Sequence, residues 1–288
     1  MSDTQTPQKA ATRLNRLLEH AAAQFSQVRF PVDVPMVAKE TANIFQWSDP
    51  ITEIEGVDIK GLEGMLFPND GKTAWKLLYN SKVTSEGRTR FTQAHELGHY
   101  ILHRQLQDRF ECTEEDMRNW STDGADIEGQ ADLFASYLLM PLDDYRRQLN
   151  AEINFDLIGH CATRYGVSLT AAVLKWLEHT DDSAVFVVSR DGYMRWAKSS
   201  QRARGAGAFF KASSNVVEIP TGSLAANTEI AHNRHGIEIP AQVWFPHADK
   251  NMAIKEMKVS SDQYDCVYTI LKLPRSEKVW APWKSLDE

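Results

Sequence analysis

The stretch Phe91-Thr92-Gln93-Ala94-His95-Glu96-Leu97-Gly98-His99-Tyr100 decides the reading of this chain. His95 and His99 stand four apart, so on an α-helix both imidazoles leave the same face. Two histidines placed in this way can ligate one metal ion. Glu96 beside them is set to take a proton from a water on that ion. Phe91, Ala94, Leu97, Ile101 and Leu102 form an apolar stripe that predicts a buried helix. Gly98 leaves room beside the metal. The pattern predicts a zinc site, not a surface helix carrying two unrelated histidines.

A third ligand is expected downstream. Asp126 to Pro141 reads as a second helix, with Ala131, Phe134, Ala135, Leu138 and Leu139 at helical spacing and Pro141 ending it. Glu128 and Asp132 share one face of it. Glu128 completes a His-His-Glu set and leaves a fourth position for water. Asp132 is expected to accept a hydrogen bond from the outer nitrogen of a ligand histidine, which orients the ring and raises its basicity.

These residues carry a resemblance. Arg90-Phe-Thr-Gln-Ala-His-Glu-Leu-Gly-His-Tyr-Ile-Leu-His103, followed by Glu128-x-Gln-Ala-Asp-x-Phe-Ala-x-x-Leu-Leu-Met-Pro141, resembles the ImmA/IrrE metallopeptidases. Lys76-Leu-Leu-Tyr-Asn80 is similar to the strand that precedes their active-site helix. The likeness covers roughly residues 10–180. It implies a gluzincin-like catalytic domain with Zn2+ on His95, His99 and Glu128 and Glu96 as general base. It also implies a helix-turn-helix transcriptional repressor as substrate, cut to relieve repression after DNA damage or in anti-phage and mobile-element regulation. Two other functions stay open: a non-proteolytic regulator that sequesters the repressor, and a general degradative peptidase.

Composition agrees with an intracellular enzyme. The chain has 288 residues, of which 42% are hydrophobic, enough for two domains. Its net charge of −7 excludes a general nucleic-acid binder. The polar start lacks a signal-peptide core, and no apolar run reaches membrane-spanning length, so no membrane partner is expected. Three widely spaced cysteines argue against a disulfide framework and for the reducing cytoplasm.

The fold class expected is α+β: a mainly helical, zincin-like domain over residues 1–180 with a small sheet, then a smaller α+β regulatory domain over 181–288. Helices are expected at 10–25 and 34–45, and a tight-turned sheet over 51–79. Ser85 or Thr89 starts the active-site helix. A sheet edge beside the cleft would let a substrate strand pair with it. The connector from Asp108 to Glu128 holds eight acids and two bases and reads as a solvated loop. Within it, Cys112 is a candidate inhibitory zinc ligand, because a thiolate binds zinc strongly and a latch would hold a regulatory peptidase silent. The alternative is a buried structural cysteine. An oxyanion donor is not assignable; His103, Tyr100, Tyr137 and Tyr165 qualify by residue type alone.

After Pro141, residues 143–149 read as helical. Residues 155–177 read as two helices around Tyr165-Gly166-Val167-Ser168, with Ser168 a good N-cap. The pair resembles a helix-turn-helix, but its second helix begins Leu169-Thr-Ala-Ala-Val, too apolar to read bases; packing is the better reading. Strands are expected at 184–188, 216–219, 237–245 and 264–273. Relatives often carry a GAF-like or other sensory domain here. From Arg190 to Lys211 there are six bases and one acid, with aromatic residues interleaved. Arg195, Trp196, Arg202, Arg204 and Lys211 are candidate contacts for single-stranded DNA as an activator; a solvated loop with core aromatics is the alternative.

Overall fold

The computed structural model describes residues 6–113, 126–149 and 152–280. Residues 1–150 with 161–171 make one compact unit, and 151–160 with 172–288 a second. The architecture is mixed α and β, with eight helices and two sheets among the described residues.

The first unit opens with α1 (Pro7–Phe25) and α2 (Val34–Phe45). Both have proline in the first turn and a side-chain N-cap: Thr6 Oγ1 accepts from the Lys9 amide, and Asp33 Oδ1 from the Met36 amide. β1 (Ile51–Val57), β2 (Leu62–Pro68) and β3 (Trp75–Asn80) follow. Next come α3 (Glu86–His103) and β4 (Phe110–Thr113). The sheet order is β1-β3-β2-β4, with β1 and β3 parallel and the other pairs antiparallel. The connector expected to be a loop therefore contains a strand, because Phe110 and Cys112 turn inward while Glu111 faces out. Residues 114–125, most of the acidic connector, lie outside the described residues.

Ser85, not Thr89, caps α3. The helix is buried over most of its length, and Leu97 and Tyr100 are fully enclosed. α4 (Ile127–Leu139) is capped by Asp126, whose Oδ1 accepts from the Gly129 amide at 2.7 Å, and Pro141 follows its end. Gly98 lets α3 and α4 touch: a Cβ there would sit 3.1 Å from both Ala131 Cα and Phe134 Cδ1. α5 spans Leu142–Gln148. Asp144 on it accepts from Arg164 Nε at 2.8 Å, Tyr165 Oη at 2.7 Å and Arg147 Nη2 at 3.1 Å.

α6 (Phe155–Tyr165) and α7 (Leu169–His179) flank a turn in which Gly166 takes φ +59. Ser168 caps α7 by accepting from the Ala171 amide at 3.1 Å. The turn packs on the start of α3: Arg90 donates to the Gly166 carbonyl, and a Cβ on Gly87 would meet the Val167 backbone at 2.7 Å. This agrees with packing as its role.

The second unit is an antiparallel sheet of β5 (Ser183–Arg190), β6 (Tyr193–Ser199), β7 (His232–Pro240), β8 (Ala253–Ser261) and β9 (Cys266–Leu273). The order is β6-β5-β9-β8-β7. Short helix α8 (Gln201–Gly205) follows β6. One core cluster joins Val185, Val187, Leu271 and Leu273 to Trp244 and Phe245. Glu256 is enclosed there, accepting from the Leu224 and Ala225 amides and from Trp244 Nε1.

Two strand expectations needed correction. Residues 216–219 form only an isolated bridge, Tyr193 to Glu218. The expected strand at 237–245 ends at Pro240 and gives way to a 3-10 turn at Ala241–Val243. The sequence does not mark β6 and β8 as strands because Arg195, Lys198, Lys255 and Lys258 dilute their apolar alternation.

Candidate metal centre

α3 and α4 build the site between them. His95 Nε2 lies 2.9 Å from His99 Nε2 and 3.1 Å from Glu128 Oε2; His99 Nε2 lies 3.4 Å from the same oxygen. Zinc with donors at 2.0–2.1 Å in tetrahedral geometry has donor–donor edges of about 3.3 Å. The three atoms therefore surround a space of the right size for such an ion. His95 Nδ1 donates to Asp132 Oδ1 at 2.9 Å, which orients the ring so that Nε2 faces the cluster. The residues fit a metal on a second count. Glu96 is fully buried, and neither of its carboxylate oxygens finds a hydrogen-bond partner among the described residues. A buried carboxylate left in this way is costly unless a water or ion completes it.

The electrostatics describe a pocket built around positive charge. Burial pulls the His95 imidazole down, but hydrogen bonds to Asp132, Cys112 and Glu128 outweigh it and hold the pKa well above the ordinary value. Burial opposes ionisation of Glu128, yet its contacts with His95 and His99 hold it well below the usual carboxylate range. Burial lowers His99 to about 4 and also depresses His103. Burial lifts Glu96 to about 8. The shifts at His95 and Glu128 thus favour positive charge inside the cluster, which a metal dication would supply.

The structure brings five expected residues together: His95, Glu96, His99, Glu128 and Asp132. Cys112 joins them. It is 1% exposed, and its sulfur lies within 4.8 Å of ligand atoms of both His95 and Glu96. Burial raises its thiol pKa. Phe110, two residues earlier on β4, stacks on His99 with centroids 4.5 Å apart and planes at 22°. Gly64 on β2 pairs with Cys112 and lies over the general-base candidate; a Cβ there would come within 2.5 Å of Glu96 Oε1. The sequence does not connect Phe110 and Gly64 to the site, since only strand pairing carries them to the helix.

Three oxyanion candidates are engaged elsewhere. Tyr100 Oη donates to the Asp49 carbonyl, Tyr165 Oη donates to Asp144, and His103 lies between His99 and Gln130. Tyr137 is nine residues past Glu128 and so on the opposite face of α4.

In the second unit, Arg195, Arg202, Arg204 and Lys211 are exposed and Trp196 is half-buried against Phe186. They are spread over β6, α8 and the loop after it. Arg190, from the same basic stretch, pairs with Asp265 on the turn before β9.

With this geometry in view, residues 53–177 match the family model of the IrrE N-terminal-like domain, peptidase M78. This segment is similar to the ImmA/IrrE metallopeptidases. No curated protein matches it. The matched segment runs from β1 into α7 and contains every residue of the candidate metal site. The second sheet lies beyond it. No described helix is long and apolar enough to cross a membrane.

Proposed function

We propose that this chain is a zinc endopeptidase that cuts a partner helix-turn-helix repressor, in a DNA-damage or anti-phage response, under control of its C-terminal unit. One observation carries the reading: His95, His99 and Glu128 converge beside a buried Glu96 carboxylate that no described residue satisfies. Zinc there would polarise a peptide carbonyl and acidify a water. His95 is oriented by Asp132, and Glu128 completes the donor set from α4. Glu96 takes the water's proton and returns it to the leaving amine. A raised affinity for protons suits that exchange, as burial gives Glu96. β4 ends the sheet beside the ligands, and an extended substrate segment gains main-chain hydrogen bonds by pairing there.

Regulation has two supports. The nearness of the Cys112 sulfur to His95 and Glu96 supports a latch in which metal binding would draw the proton off its thiol. The second unit carries its own five-stranded antiparallel sheet, outside the matched segment, which supports a separate regulatory module. The exposed bases Arg195, Arg202, Arg204 and Lys211 with Trp196 suit single-stranded DNA as the signal.

The test mixes purified protein with the repressor encoded beside it, with and without single-stranded DNA, and reads the products by mass spectrometry. A discrete cut that disappears in Glu96→Gln is expected, with DNA raising its rate. Repressor left intact in every condition, or a cut that survives Glu96→Gln, would refute the peptidase.

A further inference from the structure

The two ligand histidines are backed differently. His95 has a carboxylate behind it, Asp132 at 2.9 Å. Behind His99 stands a second imidazole: His99 Nδ1 lies 3.1 Å from His103 Nδ1, and His103 Nε2 lies 3.2 Å from Gln130 Oε1. Where two imidazole nitrogens share a hydrogen bond, one donates and the other accepts. The amide oxygen of Gln130 only accepts, so His103 carries its hydrogen on Nε2. A neutral imidazole has one N–H, so His103 Nδ1 is a lone pair. The proton between the rings therefore belongs to His99 Nδ1. That leaves His99 Nε2 bare, facing His95 Nε2 and Glu128.

We propose that His103 and Gln130 are positioning residues that hold His99 in the one tautomer able to bind a metal. The proposal rests on the metal-centre reading above. Reversing the Gln130 amide would reverse the chain: its NH2 would donate to His103 Nε2, His103 would donate to His99, and His99 Nε2 would carry a hydrogen. Packing fixes the rings as well. His99 and His103 are 1% and 2% exposed, and Phe110 stacks on His99. Gln130 lies two residues after Glu128, so α4 supplies both a ligand and the group that prepares another. Nothing in the spacing of His103 or Gln130 shows this, because the chain of contacts runs between two helices.

The experiment measures zinc affinity of the full-length protein by competition with a chromogenic chelator, alongside thermal unfolding of the zinc-free form. His103→Leu is expected to weaken zinc about 10–100-fold, the usual cost of losing a group behind a ligand. His103→Asn keeps an acceptor near the position of Nδ1 and should recover most of the affinity. Gln130→Leu, at a half-buried position, reads the same chain without emptying the core and should weaken zinc in the same direction. Undiminished affinity in both leucine variants would overturn the proposal, as would an equal loss in His103→Asn and His103→Leu. A wild-type protein that binds no zinc would overturn the metal-centre reading itself, and is distinguished because no variant is needed to see it.

Discussion

Gly64→Ala separates folding from chemistry at this site. The new methyl would stand 2.5 Å from Glu96 Oε1, 3.1 Å from Glu96 Cδ and 2.7 Å from Thr92 Cγ2. The carboxylate is the free end of a flexible side chain with no described hydrogen bond to break, so it is what yields. Restoring an ordinary van der Waals contact requires it to retreat by about 0.5–1 Å. Overpacking of this kind costs about 1–3 kcal/mol of stability, a loss a folded domain survives. A misplacement near 1 Å at a reacting group costs roughly 100-fold in rate, so kcat/KM should fall about 10–100-fold. Zinc affinity should change less than about threefold, because the ligand atoms come from α3 and α4 and none is touched by the new methyl. The assay is repressor cleavage at saturating zinc, with chelator competition and urea unfolding on the same preparation. Gly159→Ala is the control, since a Cβ there meets nothing within 4 Å. Wild-type cleavage by Gly64→Ala would refute the placement of Glu96 under β2. A parallel loss of zinc would refute the claim that the defect lies in the base.

Three other outcomes are expected. Cys112→Ser should cut the repressor without any inducer if the thiol is the latch; a variant as silent as wild type in that assay would remove Cys112 from regulation. Leu97→Ala, at a fully enclosed position on α3, should cost about 2–5 kcal/mol in denaturant unfolding, and a cost below 1 would mean the α3–α4 core is looser than described. For Asp144, burial opposes the charge, but hydrogen bonds from Arg164, Tyr165 and Arg147 outweigh it and depress its pKa. Its contribution is therefore fully present above the unfolded carboxylate value near 4 and is lost as pH falls through the lower folded value. Asp144→Asn should lose about 2–3 kcal/mol at neutral pH, and the gap to wild type should close below about pH 4. A gap that stays constant down to pH 3 would mean the charge is not what holds α5 to the end of α6.

What the sequence by itself determined is the part of the site that is local. Four-residue spacing on a buried helix forces His95 and His99 to one face whatever surrounds them, and the same rule sets Glu128 and Asp132 together on α4. The cap at Ser168 is legible for the same reason, since a cap bonds within three residues of itself; Ser85 and Thr89 fit the start of α3 equally by sequence, and the structure chooses Ser85. Everything that depends on pairing distant segments was decided only by tertiary structure. The approach of Glu128 to the histidines needs α3 and α4 in contact at Gly98. Gly64 and Cys112 reach Glu96 only because β2 and β4 pair with Gly64 opposite Cys112, just past a register shift, and lie across α3; slipping β4 by one residue would turn Cys112 outward. His103 and Gln130 are twenty-seven residues apart, and their hydrogen bond sets which nitrogen of His99 is bare. Backbone geometry fixes where a side chain leaves its own element. Which side chain it then meets, and which of the two carries the proton, is fixed by the packing of one element on another.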